Sequence, residues 1–150
     1  MECLSCLSLS GEKRISPGPF IYQGQYWLVD HAYPTSYLGW LVIVPRRHVE
    51  ALHELTRAEF AELAEIQYRV AQVMGAESGI TKEYLMCFAE GEGFYHVHIH
   101  VVARPADLAL EFKGPRIFTF LAVDAARPAV PAAELTAYCE AFTRKLQTIS

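Results

Sequence analysis

The segment His96–Val102, His-Val-His-Ile-His-Val-Val, constrains this chain more than any other. Alternation of polar and apolar residues is the period of a β-strand, whose successive side chains point to opposite faces. The pattern predicts a strand over Val97–Val102, with His96, His98 and His100 on one face and Val97, Ile99 and Val101 turned into a core. Histidines two steps apart on such a face are ~6.5–7 Å from one another. An ordinary solvated face would carry Thr, Lys or Glu, so three imidazoles in a row point to chemistry. Neutral imidazole attacks electrophiles and carries protons near neutral pH. A His-x-His row is also a metal-binding pattern. A central nucleophile with neighbours to orient it suits phosphorus esters, whose transition state asks mainly for positioning and charge compensation.

The remaining patterns supply what such a strand needs around it. Phe20–Tyr22 and Tyr26–Val29, separated by Gln23-Gly24-Gln25, predict a hairpin. Trp40–Val44 is a continuous β-type run that Pro45 stops, and Tyr84–Ala89 and Ile117–Val123 read as further strands. Thr56 and Glu59 form a capping box ahead of a helix. Phe60, Leu63, Ile66, Val70 and Val73 recur there at helical spacing until Gly75. A last helix opens at Pro131, with Leu135, Tyr138, Phe142 and Leu146 on one face, and residues 10–19 read as a polar connector. Strands with helices gathered on one side make an α+β class domain.

The 150 residues are one domain's worth, with 52% hydrophobic and 20% charged residues, which excludes wholesale disorder. Thirteen Lys and Arg against seventeen Asp and Glu argue against a nucleic-acid partner or a polybasic membrane binder. No apolar run reaches the ~20 residues of a spanning helix. The first residues are too polar for a signal peptide, so the expectation is a cytoplasmic protein with no membrane partner. Cys87 and Cys139 sit in apolar surroundings; Cys3 and Cys6 form a C-x-x-C that alone fits a redox pair, half a metal site or an accident of a frayed end.

The histidine strand resembles the signature of the histidine triad (HIT) superfamily of nucleotide hydrolases and transferases. Val44-Pro45-Arg46-Arg47-His48-Val49 is similar to the strand end that these proteins carry before their long helix, and Cys3 and Cys6 to the zinc half-site of many bacterial members. The resemblance covers residues 3 to about 107 and is thin beyond. It implies a single HIT-like domain over 1–150, with the part from about 108 a less typical extension: an antiparallel sheet, one long central helix and a C-terminal helix, assembled as a homodimer. It further implies attack by His98 on the α-phosphorus of a purine nucleotide or dinucleotide (a diadenosine polyphosphate or a nucleoside phosphoramidate) through a nucleotidyl-histidine. His100 would contact the phosphoryl oxygens or the leaving group, Asp30 the ribose hydroxyls, and the Gly93 amide a phosphate. Cys3, Cys6, His48 and His96 would form a closed Cys₂His₂ set for a structural zinc, with no open position for catalysis.

The sequence departs from that pattern at three places. Gly39 is followed by Trp40, where the family carries a fourth histidine; His31 is a possible substitute. Ala89 stands where Asn or Gln is usual, and Glu90-Gly91-Glu92-Gly93 replaces a neutral phosphate-contacting turn. Trp40 and Ala89 keep one rival open, a nucleotide-binding module without turnover; the histidine row itself keeps another, a metalloenzyme using the row as ligands. Arg46 and Arg47 read as charges that flank the zinc set or face solvent, and Arg104, Lys113 and Arg116 as solvated loop charges ahead of the alternative, loops that close over an anionic ligand.

Overall fold

In the computed structural model, which describes residues 2–150, five antiparallel strands form one open sheet. The strands are β1 (Tyr22–Gln23), β2 (Trp27–His31), β3 (Trp40–Pro45), β4 (Ile80–Met86) and β5 (Ile99–Pro105), in the order β1-β2-β3-β5-β4. The helices are α1 (Leu4–Ser10), α2 (Arg57–Gly75) and α3 (Ala132–Leu146). The architecture is the expected α+β class, an antiparallel sheet with a long helix and a C-terminal helix. Among the described residues no helix is long and apolar enough to cross a membrane.

Strand alternation divides the core in two. Val29, Leu41, Ile43, Ile99 and Val101 face α2 and α3, where Leu63, Ile66, Val70, Leu135, Cys139 and Phe142 complete the main cluster. Phe60, placed on that face by its spacing, is instead exposed at the start of α2. On the opposite side Trp40 and Val102 pack with Ile117, Phe118 and Phe120 in a smaller cluster. The segment read as a strand over 117–123 is a 3-10 helix, Gly114–Leu121, with Pro115 in its first turn. His100 and Val42 lie on this second side of the sheet, with Trp40 and Val102.

The Thr56–Glu59 capping box forms as the sequence predicts: the Thr56 hydroxyl accepts the Glu59 amide, and the Glu59 carboxylate accepts the Thr56 amide. Arg47 donates two hydrogen bonds to the same carboxylate, at 2.9 and 3.1 Å, which ties the segment after β3 to the start of α2. With Arg47 as the main cause and the Thr56 amide second, Glu59 is held down to about 2.

Two elements depart from expectation near the site. Residues 4–10, expected to lie at a frayed end and in a connector, form α1; the Cys3 sulfur caps it by accepting the Cys6 amide. β5 begins at Ile99, so His96 precedes the strand and does not share its alternation.

Candidate functional site

Strand register sets the geometry of the site. Asp30 pairs with Val42, and Val42 with His100, so the three form a row across β2, β3 and β5 on one sheet face. At the usual strand spacing, Asp30 and His100 stand about 10 Å apart along that row. His98 lies one step before β5, with its ring centroid 4.8 Å from that of His100. His98 Nδ1–H donates to the His96 carbonyl at 2.8 Å, which leaves the Nε2 lone pair of the neutral ring unengaged by that bond. Trp40 Nε1–H donates to His100 Nδ1 at 2.9 Å. Burial first, and His98 second, push His100 down to about 3, so its ring is neutral at physiological pH.

Above this row lies a cavity of about 490 Å³. Val42, Val44 and His100 line it from the sheet, His98 from just before β5, Ser5, Ser8 and Leu9 from α1, and Phe88–Gly91, Phe94, Phe118 and Leu121 from the other sides. Most of its wall is apolar. Among the described residues Asp30 and Glu90 are its only carboxylates, and no Lys or Arg lines it. Arg14 reaches Asp30 from outside, at 2.6 and 3.1 Å to the two carboxylate oxygens. The same guanidinium donates to Ser8 Oγ and the Gly18 carbonyl and stacks on Phe20. Burial raises the Asp30 carboxyl above its usual range, and the Arg14 pair opposes that trend.

Several residues have duties the sequence did not reveal. His31 does not substitute for the absent fourth histidine: its Nδ1–H donates to the Ala32 carbonyl at 2.7 Å, and its Nε2 accepts the Gly39 amide at 2.9 Å. Its ring packs edge-on against Tyr138 of α3. Gly93 does not line the cavity. Its carbonyl accepts the Leu4 amide at 3.0 Å, and at φ 78° a Cβ there would stand 2.9 Å from Leu4 Cδ1. Ala89 does line the cavity, at φ 53°, a left-handed conformation that a Cβ disfavours. Of the basic residues, Arg46 donates to the Gly24 carbonyl, Arg104 to Pro105 and Arg116 to Leu110.

The histidine row is divided between two sites. His96, fully buried, joins Cys3, Cys6 and His48, and one donor atom from each lies within 4.8 Å of the others. His96 Nε2–H donates to the Pro45 carbonyl at 3.0 Å and His48 Nε2–H to Glu50 at 3.2 Å. Both rings therefore turn Nδ1 toward the sulfurs: His48 to Cys6 at 3.3 Å, and His96 to Cys6 and Cys3 at 3.4 and 3.7 Å. A tetrahedron with arms of ~2.0–2.3 Å has edges of roughly 3.3–3.8 Å, which these three sulfur–nitrogen separations match, within a set of four donors that spans up to 4.8 Å. Outer partners that fix the ligating nitrogen, as Pro45 and Glu50 do here, are typical of such sites. Burial and then His48 push His96 down to about 4, which favours the neutral, ligating form. A metal held by all three histidines of the row is not what this arrangement offers.

α1, Arg14 and the Trp40 indole are the parts of the site that sequence reasoning missed. The C-x-x-C was the available signal for α1, because ligands at i and i+3 share one helical face.

The HIT domain family model matches residues 15–107. No curated protein sequence matches. Among solved structures, a zinc-bound histidine triad family protein from Mycobacterium smegmatis superimposes with a TM-score of 0.70 at 19% identity, over 97% of this chain and 96% of that one. A hypothetical histidine triad nucleotide-binding protein from Sulfolobus tokodaii aligns at 0.64 and 18% identity, over 97% and 92%. A histidine triad protein from Bradyrhizobium japonicum aligns at 0.68 and 21% identity, over 85% and 90%.

Proposed function

The chain belongs to the HIT domain family, and from that premise we propose that it is a nucleotide hydrolase or transferase acting at an α-phosphorus through a nucleotidyl-histidine on His98. The observation that carries this reading is the His98 Nδ1–H bond to the His96 carbonyl, which reserves the Nε2 lone pair of a cavity-lining ring for attack. Nε2 attacks phosphorus, and an N–P bond forms as the bond to the leaving group breaks. The leaving group departs with a proton from solvent. Water then attacks the same phosphorus, the N–P bond breaks, and a nucleoside monophosphate leaves with His98 restored. His100 contacts the phosphoryl oxygens, and Asp30 takes the ribose hydroxyls.

The cavity favours a substrate with a single phosphoryl group. A polyphosphate bridge brings several negative charges into an apolar space with, among the described residues, no Lys or Arg on its wall to meet them, and Glu90 opposes them. A phosphoramidate with a neutral or cationic amine leaving group suits walls built from Phe88, Phe94 and Phe118. Zinc is the ion for the Cys₂His₂ cluster, given its thiolate and imidazole donors. It ties α1 to the segment before β5 and takes no part in the reaction. Two copies joined along the β4 side of the sheet, an outer strand with Leu85 exposed, complete the proposal. A second reading, a binding module without turnover, draws on Trp40 in place of a histidine.

The test is product analysis by mass spectrometry with adenosine monophosphate amidate and diadenosine tetraphosphate, comparing the native chain with His98→Ala. We expect amidate turnover at least tenfold above that of the tetraphosphate, and its loss in the variant. Turnover that persists in His98→Ala overturns the mechanism, and nucleotide binding with no turnover of either probe favours the binding module.

A further inference from the structure

We infer that Trp40 is a positioning residue, whose indole N–H locks His100 as a neutral ring with its proton on Nε2. Trp40 Nε1 lies 2.9 Å from His100 Nδ1, and both side chains are buried. An indole nitrogen can only donate, so Nδ1 must accept, and the single proton of neutral His100 is left on Nε2. The imidazolium form would need a proton on Nδ1, which would set two donors face to face in a dry site. That leaves His98 with an Nε2 lone pair and His100 with an Nε2–H, on rings 4.8 Å apart. One ring attacks, and the other donates a hydrogen bond to the phosphoryl oxygens.

The indole is held as firmly as the ring it orients. Trp40 pairs with Val102 in the β3–β5 register. Tyr37 and Phe118 pack edge-on against it at 6.0 and 5.4 Å. Phe118 also closes on His100 at 5.0 Å, so neither ring has room to turn away. An indole does not titrate, so the donor side of the lock is the same at every pH. The residue that reads as a loss beside the family pattern is thus a donor of fixed polarity. The catalytic consequence rests on the proposed reaction at His98; the tautomer does not.

The experiment separates the two. Nitrogen-15 NMR of imidazole-labelled native protein, with His100 assigned by His100→Gln, reads the tautomer directly. We expect a single form with the proton on Nε2 in the native chain, and a mixture of tautomers in Trp40→Phe, which keeps the ring packing and removes the N–H. With the amidate probe, Trp40→Phe should lower kcat about 10- to 100-fold with little change in KM. A proton on Nδ1 in the native protein overturns the inference even if Trp40→Phe does not fold. An unchanged single tautomer in folded Trp40→Phe also overturns it. If neither protein turns over the amidate while the tautomer shifts as expected, the lock stands and the proposed reaction fails.

Discussion

The amide of Leu4 donates to the carbonyl of Gly93 at 3.0 Å, and this one bond docks α1 onto the segment that leads into the two cavity histidines. Gly93 meets two demands there, a φ of 78° and a close approach by the Leu4 side chain. We expect Gly93→Ala to cost about 1–3 kcal/mol through left-handed strain and that collision. It should also weaken metal retention at Cys3 and Cys6, measured by competition with a chromophoric chelator. Unchanged metal affinity would separate α1 docking from the metal site.

Removing the metal should loosen the cavity as well as the cluster, because Ser5, Ser8 and Leu9 line the cavity from the helix that Cys6 anchors. Stripping with a chelator should lower the melting temperature, speed amide exchange across residues 4–10 and weaken AMP binding in calorimetry. AMP affinity that is indifferent to metal content would place the wall of α1 outside the ligand's reach.

Glu59 links stability to acid. Its carboxyl is held down to about 2 in the fold, from an ordinary 4.5. The contribution is therefore complete above pH 4.5 and lost as the pH falls through about 2. Glu59→Gln should be less stable at pH 7 by about 1–2 kcal/mol, the partial exposure of Arg47 limiting the effect. The gap to the native chain should close between pH 4.5 and 2. Urea unfolding at stepped pH reads both.

Ala89 holds a left-handed backbone at the cavity wall. Ala89→Gly should stabilise the protein by roughly 0.5–1 kcal/mol, and Ala89→Asn should be at least neutral, since Asn tolerates this region. Equal destabilisation by both would mean that the methyl group packs usefully enough to offset the strain. Thermal unfolding decides.

Asp30→Ala should raise KM for a ribonucleoside amidate about tenfold and leave the 2′,3′-dideoxy analogue nearly unaffected, the mark of a hydroxyl contact. An equal loss on both substrates would assign Asp30 to holding Arg14 instead.

The sheet, α2 and α3 were legible because each is written in local periodicity: the Thr56–Glu59 box, the Leu63–Val73 spacing and the run from Trp40 to Val44. The fate of the histidine row was not. Alternation over residues 96–102 is an honest strand signal, yet His96 leaves the row because the Pro45 carbonyl and two sulfurs claim its nitrogens from distant parts of the chain. α1 has no propensity signal worth reading over seven residues; a sulfur cap and the Leu4–Gly93 bond make it. Residues 117–121 are apolar enough for a strand or a tight helix, and packing of Ile117 and Phe118 against Trp40 chose the helix. Trp40 itself could be seen in the sequence as a missing histidine, while the hydrogen bond it makes instead depends on the β3–β5 register.

The placement of α1 carries a consequence for synthesis. A helix of seven residues does not persist alone in water. Its partners outside its own end of the chain, His48, Gly93 and His96, lie about 40 to 90 residues further along. As a ribosome feeds the chain out, this segment emerges ahead of those three residues and cannot yet dock on them. It waits, its two thiols open to solvent, until the stretch through His96 has followed it. A helix made before its partners is set only after them, and the finished cavity dates from that moment.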